Sequence, residues 1–133
     1  MKLPVPDPSF WRGRRVFLTG HTGFVGGWTA LWLMQLGAEV FGFALKPPTE
    51  PSFFAATKLG ERIAGSTIGD VCNREALAKA AAEAKPNIVL HLAAQPLVRA
   101  AFHDPVSTFA TNVMGTVHLL EVPAAVEPGW QIA

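Results

Sequence analysis

Gly20-His21-Thr22-Gly23-Phe24-Val25-Gly26 is the stretch whose residue types and spacing point most directly to chemistry. Its three glycines fall at intervals of three, immediately after the apolar run Arg15-Val-Phe-Leu-Thr19. Glycine admits left-handed backbone angles and leaves no Cβ between the chain and an approaching ligand. A helix that starts at such a turn offers free N–H groups and the positive end of its dipole to an anion. The pattern therefore suits a diphosphate, with Gly26 letting the helix lie close on the strand. A tight turn that serves only helix packing would use the same glycines.

Two further positions follow apolar runs in the same way. Asp70, with Val71 behind it, carries an acceptor suited to an adenine amino group, although a solvated acid at a strand end would look the same. Leu92-Ala93-Ala94-Gln95 closes the run 87–92, and Gln95 and Arg99 fit either a substrate-facing loop or an ordinary surface one. Thr111 shares a helix side with Gly115, where backbone could approach a ligand. Asn112 either orients backbone near the site or bonds the preceding turn. His21, His91, His103 and His118 show no metal-ligand spacing, and no metal site is expected.

The elements that must position these residues alternate. Residues 15–19 read as a strand, and 24–36 as a helix that is apolar nearly all round, ended by Gly37 as a left-handed cap. Burial on two sides is expected for that helix, with Trp28 and Trp32 in the core. Residues 39–45 read as a second strand from their aromatic and β-branched content, 46–52 as irregular, 53–59 as weakly helical and 66–68 as a short third strand. Asn73 is placed to cap a helix whose Leu77, Ala80, Ala81 and Ala84 share one face and which Pro86 ends. Residues 87–92 form a fourth strand, apolar enough to be buried on both faces. Asp104-Pro105 opens another helix, on which Val106, Phe109, Ala110, Val113, Met114, Val117 and Leu120 make one stripe. Ser107, Thr111, Gly115 and His118 make a smaller, more polar one.

Such alternation predicts an α/β fold, a doubly wound, Rossmann-like parallel sheet with right-handed crossovers. Four strands and the helix after the fourth are expected, then an irregular tail. The organisation read from the sequence is a disordered lead over 1–9, a partial dinucleotide-binding domain over 10–122 and an irregular tail over 123–133, with the substrate domain absent.

Composition narrows the partners. Of 133 residues, 11 are basic and 10 acidic, with no long run of either sign, which gives no electrostatic case for nucleic acid or a membrane surface. The single cysteine, Cys72, suits a reducing compartment, and the proline-rich start lacks the apolar stretch of a secretory signal, so a cytoplasmic protein is expected. Residues 16–38 carry no formal charge, yet the helix within them would reach only ~20 Å, short of a ~30 Å hydrocarbon core.

In combination, Leu18-Thr19 before the Gly-x-x-Gly-x-x-Gly loop, Asp70-Val71 and Leu92-Ala-Ala-Gln95 resemble the extended short-chain dehydrogenase/reductase family, and within it the nucleotide-sugar 4,6-dehydratases. Phe10-Trp-x-Gly-x-Arg-Val-Phe-x-Thr-Gly-His-Thr-Gly-Phe, Pro47-Pro-Thr-Glu-Pro-Ser-Phe53, His91-x-Ala-Ala-Gln-Pro-Leu-Val-Arg99 and Thr111-Asn-Val-Met-Gly-Thr-Val-His-Leu-Leu-Glu121 extend that resemblance over nearly all of 10–121. It implies NAD as cofactor. Gly20, Thr22, Gly23, Phe24, Val25 and Gly26 would hold its pyrophosphate and Asp70 with Val71 its adenine. Leu92, Ala93, Ala94, Gln95 and Thr111 would flank its ribose and nicotinamide.

Two features depart from the pattern. The acid expected roughly 20 residues beyond the loop, where it would meet a ribose hydroxyl, is replaced by Ala44-Leu45-Lys46, which leaves NADP open. The family's Tyr-x-x-x-Lys pair has no counterpart, because the 133 residues contain no tyrosine. Family members oxidise a sugar at C4, eliminate water across C5 and C6 and return the hydride to C6. The resemblance therefore implies a cofactor-binding portion inactive alone, with no catalytic residue of its own and a nucleotide-sugar partner only in a full-length form. The uncovered fourth strand implies possible self-association. A non-catalytic, redox-sensing dinucleotide module and a methyltransferase on a related sheet are the alternatives.

Overall fold

The computed structural model describes residues 5–122 and 131–132. Five parallel strands, β1 (Arg15–Thr19), β2 (Glu39–Ala44), β3 (Gly65–Ile68), β4 (Ile88–His91) and β5 (Gln131–Ile132), lie in the order β3-β2-β1-β4-β5. Val16 pairs with Val40 on one side and Ile88 on the other, so β1 is central. The strand order reverses between β1 and β4, where an open sheet of this kind holds its ligand.

Alternation along β1 divides the core. Val16 and Leu18 pack with Ala30, Leu33, Val40, Leu59 and Ile63 on one face, and Phe17 packs with Phe43, Leu77, Ala81, Val89 and Leu119 on the other. Helices α2 (Phe24–Gln35) and α4 (Leu59–Arg62) cover the first face, and α5 (Arg74–Ala84) and α8 (Gly115–Glu121) cover the second. Helix α5 follows its sequence closely. The Asn73 side chain accepts from the Ala76 N–H at 3.0 Å, and Leu77, Ala80, Ala81 and Ala84 are its buried residues.

Several expectations are corrected. Pro8, expected within a disordered lead, opens a single turn, α1 (Pro8–Trp11), because Asp7 accepts from the Ser9 N–H at 2.8 Å. Residues 53–59 are not one helix but the start of two single turns, α3 (Phe53–Ala56) and α4, parted by Lys58 at φ 50°. Helix α2 is buried on one side only. Gly26, Gly27, Ala30 and Leu33 are its buried residues, whereas Trp28 and Trp32 are 53% and 58% exposed. Gly26 lies against the Gly20 carbonyl and Gly27 against the Phe53 ring, which leaves no room for an indole on that side, so the tryptophans turn outward and Trp28 meets the Phe53 ring with centroids 4.9 Å apart.

Helix α6 (Val98–His103) was not foreseen. The segment opened by Asp104, which does accept from the Ser107 N–H at 3.0 Å, is α7 (Pro105–Phe109), a π-helical turn over Ala110–Met114, and α8. Its faces are inverted relative to its hydrophobic stripe. Gly115 and Leu119 are buried, whereas Val106 and Phe109 are 78% and 68% exposed, because only a bare Cα fits against Val71 at this point.

The sheet also does not stop at the fourth strand. Residues 131–132, read as irregular tail, pair with Ile88 and Val89. The β4 edge is therefore partly covered, which removes part of the reason for expecting self-association through it. The remaining tail positions, 123–130 and 133, lie outside the described residues, as do positions 1–4 of the lead.

Candidate functional site

The glycine loop joins β1 to α2. Gly20 has φ 82°, which only glycine adopts without strain, and its N–H donates to the Phe43 carbonyl at 2.9 Å. A Cβ on Gly20 would lie 2.9 Å from Leu92 and Ala93 backbone atoms, and one on Gly26 would overlap the Gly20 carbonyl. Both glycines are therefore required by the fold itself. Gly23 is different: its φ of −79° suits any residue, and a Cβ there would meet nothing nearer than the Gly20 oxygen at 3.4 Å. Gly23 is the N-cap of α2 and contributes no side-chain cap, so the N–H groups of the first turn, from Phe24 to Gly26, are presented past an unobstructed Cα. A diphosphate fits that cradle, and a side chain at Gly23 would fill it. Phe24 and Val25 turn their side chains outward, leaving backbone as their contribution.

Thr22 takes another role from the one its place in the loop suggests. Its hydroxyl donates to the Leu45 carbonyl at 2.8 Å, tying the loop to the end of β2. His21, fully buried, shares a 2.8 Å hydrogen bond with Ser66 through Nε2, and its ring meets Phe54 edge-on with centroids 5.4 Å apart. Burial pushes its pKa down to about 4, so the ring is neutral.

Beyond β3, Asp70 Oδ1 accepts from the Cys72 N–H at 2.8 Å, and the carboxylate is exposed. Val71 buries its side chain against Gly115, and its carbonyl accepts from His118 Nδ1 at 3.0 Å. A carbonyl can only accept, so His118 carries its hydrogen on Nδ1. Burial also raises the Cys72 thiol, whose sulfur lies 3.9 Å from the Thr111 hydroxyl. Thr111 thus stands beside the Asp70 turn.

The β1 and β4 ends are joined by a directional chain of hydrogen bonds. Thr19 Oγ1 accepts from the Leu92 and Ala93 N–H groups at 3.1 and 3.2 Å, so its hydroxyl hydrogen goes to His91 Nδ1 at 2.7 Å. His91 is then the Nε2–H tautomer and donates to Thr116 Oγ1 at 3.1 Å, and Thr116 donates to the Asn112 carbonyl at 3.0 Å. Burial lowers the His91 pKa, in keeping with a neutral ring. The Asn112 side chain reaches the opposite way. Its Oδ1 accepts from the Gln95 N–H at 2.7 Å and its Nδ2 donates to the Gln95 carbonyl at 3.1 Å. Of its two possible roles, Asn112 takes the first: it holds the 92–97 loop. The Gln95 side chain donates to Thr108 and accepts from the Leu97 N–H, and Leu92 and Ala94 remain exposed.

Sequence reasoning brought the glycine loop, the Asp70 turn and the 92–95 loop to one end of the sheet. The sequence reads His91 as a hydrogen-bonded core histidine, which the structure bears out, but gives no role to Thr19 or Thr116, whose only signal is a polar residue at the end of an apolar strand and one helical turn past Asn112.

Comparison with known proteins agrees with this geometry. The family model for GDP-mannose 4,6 dehydratase matches residues 17–130. The CDP-glucose 4,6-dehydratase of Salmonella typhimurium is 55% identical over 115 residues, 86% of this chain and 32% of that protein. The UDP-glucuronate 4-epimerase 1 of Arabidopsis thaliana is 36% identical over 87% of this chain and 28% of its own length. Among solved structures, the UDP-glucose 4-epimerase of Thermus thermophilus in complex with NAD superposes with a TM-score of 0.73 at 28% identity, covering 84% of this chain and 34% of that one. The chain spans about a third of the length of the relatives it matches. The glycine cradle at the strand-order reversal and the match over 17–130 lead to one assignment: this chain belongs to the GDP-mannose 4,6 dehydratase family.

Proposed function

We propose that this chain is the NAD-binding portion of a nucleotide-sugar 4,6-dehydratase whose substrate is CDP-glucose. The observation that carries the reading is the uncapped first turn of α2 behind Gly23, a bare Cα that the packing of the chain does not itself require. In this reading Gly20, Thr22, Gly23, Phe24, Val25 and Gly26 form the pyrophosphate site, the first turn of α2 through its N–H groups and Thr22 by anchoring the loop. Asp70 and the Val71 backbone take the adenine, with Thr111 beside them. Leu92, Ala93, Ala94 and Gln95 take the other half of the cofactor. The bound NAD supplies a hydride acceptor, and the described residues bind and orient it.

The identity to the Salmonella enzyme supports CDP-glucose as the substrate of the whole protein. The NAD-bound epimerases with related structures support NAD. Exposed Lys46, with no acid at the end of β2, keeps NADP as the comparison to make. With no tyrosine in its 133 residues, the chain binds without turning over. Among the described residues no helix is long and apolar enough to cross a membrane; the single cysteine supports a cytoplasmic setting. The exposed stripe on α7 and α8 supports self-association.

Titration of the purified chain with NADH and NADPH, followed by cofactor fluorescence, tests the reading. NADH should bind, and Gly23→Val should abolish binding while the chain stays folded. Equal binding by the two proteins overturns the pyrophosphate assignment, and tighter binding of NADPH overturns the choice of NAD.

A further inference from the structure

We propose that His118 is a positioning residue for adenine recognition, acting on Asp70 through the single peptide group between Val71 and Cys72; the proposal rests on the NAD reading above. Asp70 presents an exposed carboxylate just beyond β3. A carboxylate reads an amino group well only if it is already held, because ordering a free side chain on binding costs conformational entropy. Oδ1 of Asp70 is held by the Cys72 N–H at 2.8 Å. The carbonyl of that same peptide group, on Val71, accepts from His118 Nδ1 at 3.0 Å. A peptide group is planar and trans, so its C=O and N–H point opposite ways, and fixing the oxygen fixes the direction of the N–H. The imidazole therefore sets the carboxylate from the far side of the turn, without touching the ligand.

The small, polar stripe of the segment after Asp104 supplies this grip. Thr111 stands 3.9 Å from the Cys72 sulfur, a Cβ on Gly115 would meet Val71 Cγ2 at 2.6 Å, and His118 takes the Val71 carbonyl. Just beyond them on α8, Glu121 pairs with Arg74 at 2.8 Å, directly after the turn. Successive members of one helix side thus lie along 71–74. Packing against Gly115 keeps the turn in place, but a packed side chain leaves the tilt of the next peptide plane open. Among these contacts, the His118 bond is the one made to a backbone polar group, and it closes that freedom.

Positioning differs from general support in its effect on base choice. Hypoxanthine carries a carbonyl where adenine has its 6-amino group, so a fixed carboxylate accepts from one and opposes the other. The test is calorimetric titration of the chain and its His118→Ala and His118→Asn variants with NADH and with reduced nicotinamide hypoxanthine dinucleotide. Asparagine brings an amide N–H to where Nδ1 stands. His118→Gln carries that N–H one bond further and serves in place of the alanine variant if the latter does not fold. The unaltered chain should prefer NADH about tenfold, the scale of one hydrogen bond to a charged group. The alanine variant should lower the preference to about twofold or less, and the asparagine variant should restore it. An unchanged preference, even with both affinities weakened in parallel, overturns the positioning role, as does failure of asparagine to restore a lost one. A wild-type chain that binds both dinucleotides equally removes adenine from Asp70 and this proposal with it, whereas one that binds neither overturns the NAD reading itself.

Discussion

Gly26 lies so closely over the carbonyl of Gly20 that a Cβ on it would overlap the oxygen, whereas a Cβ on Gly23, midway between them, would only touch that oxygen at 3.4 Å. Three residues that look equivalent in the sequence thus divide between folding and binding. Gly26→Ala should destabilise the chain by about 1–3 kcal/mol, the range for forcing extra volume into a packed site. Gly23→Ala should cost about 1 kcal/mol or less, the difference between glycine and alanine at a helix N-cap, yet it should reduce NADH binding sharply. Urea denaturation and NADH titration on the same samples measure both effects.

Stability should rise with pH between about 4 and 6.5. His21 is neutral when folded, with its pKa lowered to about 4 by burial, while in the unfolded chain it takes up a proton below about 6.5. The unfolded state then binds more protons across this window, so stability is complete above it and is lost as pH falls through it. The shift corresponds to roughly 3 kcal/mol at ~1.4 kcal/mol per unit. His91, lowered in the same direction, adds to the slope. Thermal melts from pH 4 to 7.5 should show the rise, and His21→Leu should flatten it without removing it; a variant with the wild-type slope would contradict the burial argument.

The contact between α8 and the turn at 70–72 should behave as a coupled pair. A Cβ on Gly115 would meet Val71 Cγ2 at 2.6 Å, so Gly115→Ala should cost about 1–3 kcal/mol and weaken ADP binding by moving the turn. Val71→Ala removes the opposing methyls. The double variant should be more stable than the sum of the single losses implies, by about 0.5 kcal/mol or more. Strict additivity in denaturation would show that α8 can shift away at no cost.

The 133-residue chain should form no 4-keto-6-deoxy sugar from CDP-glucose, even when loaded with NAD. General acid–base assistance of the kind a tyrosine gives is worth ~10²–10⁴-fold, and the chain has no tyrosine. Chromatographic assay of the sugar nucleotide after prolonged incubation checks this, and product formation would require another acid–base group.

The strands and helix α5 were legible because their patterns admit one solution. β1, β2 and β4 are apolar runs bounded by turn residues, and the four buried residues of α5 are the only apolar face it offers. The glycine loop was legible for the same reason. The orientation of α2 and of the segment after Asp104 was not. Both carry two stripes at helical spacing, one large and apolar, one small, and hydrophobicity favours burying the large one. Close approach selects Gly26 against the Gly20 carbonyl and Gly27 against the Phe53 ring in the first case and Gly115 against Val71 in the second, and such distances are a property of the assembled fold. The π-helical turn was equally invisible, since one added residue leaves little trace in a periodicity.

The outward turn of the α2 tryptophans gives the chain an optical property. Trp28 sits about 6 Å along the helix axis from Phe24, at ~1.5 Å per residue, and Trp32 one turn further on. Indole emission overlaps the absorption band of a reduced nicotinamide ring, so NADH bound at the head of α2 would quench these two side chains by energy transfer. Replacing Trp32 with phenylalanine would leave Trp28 as the nearer donor on that helix. The indoles that sterics expelled from the core would then report cofactor arrival in the unlabelled protein.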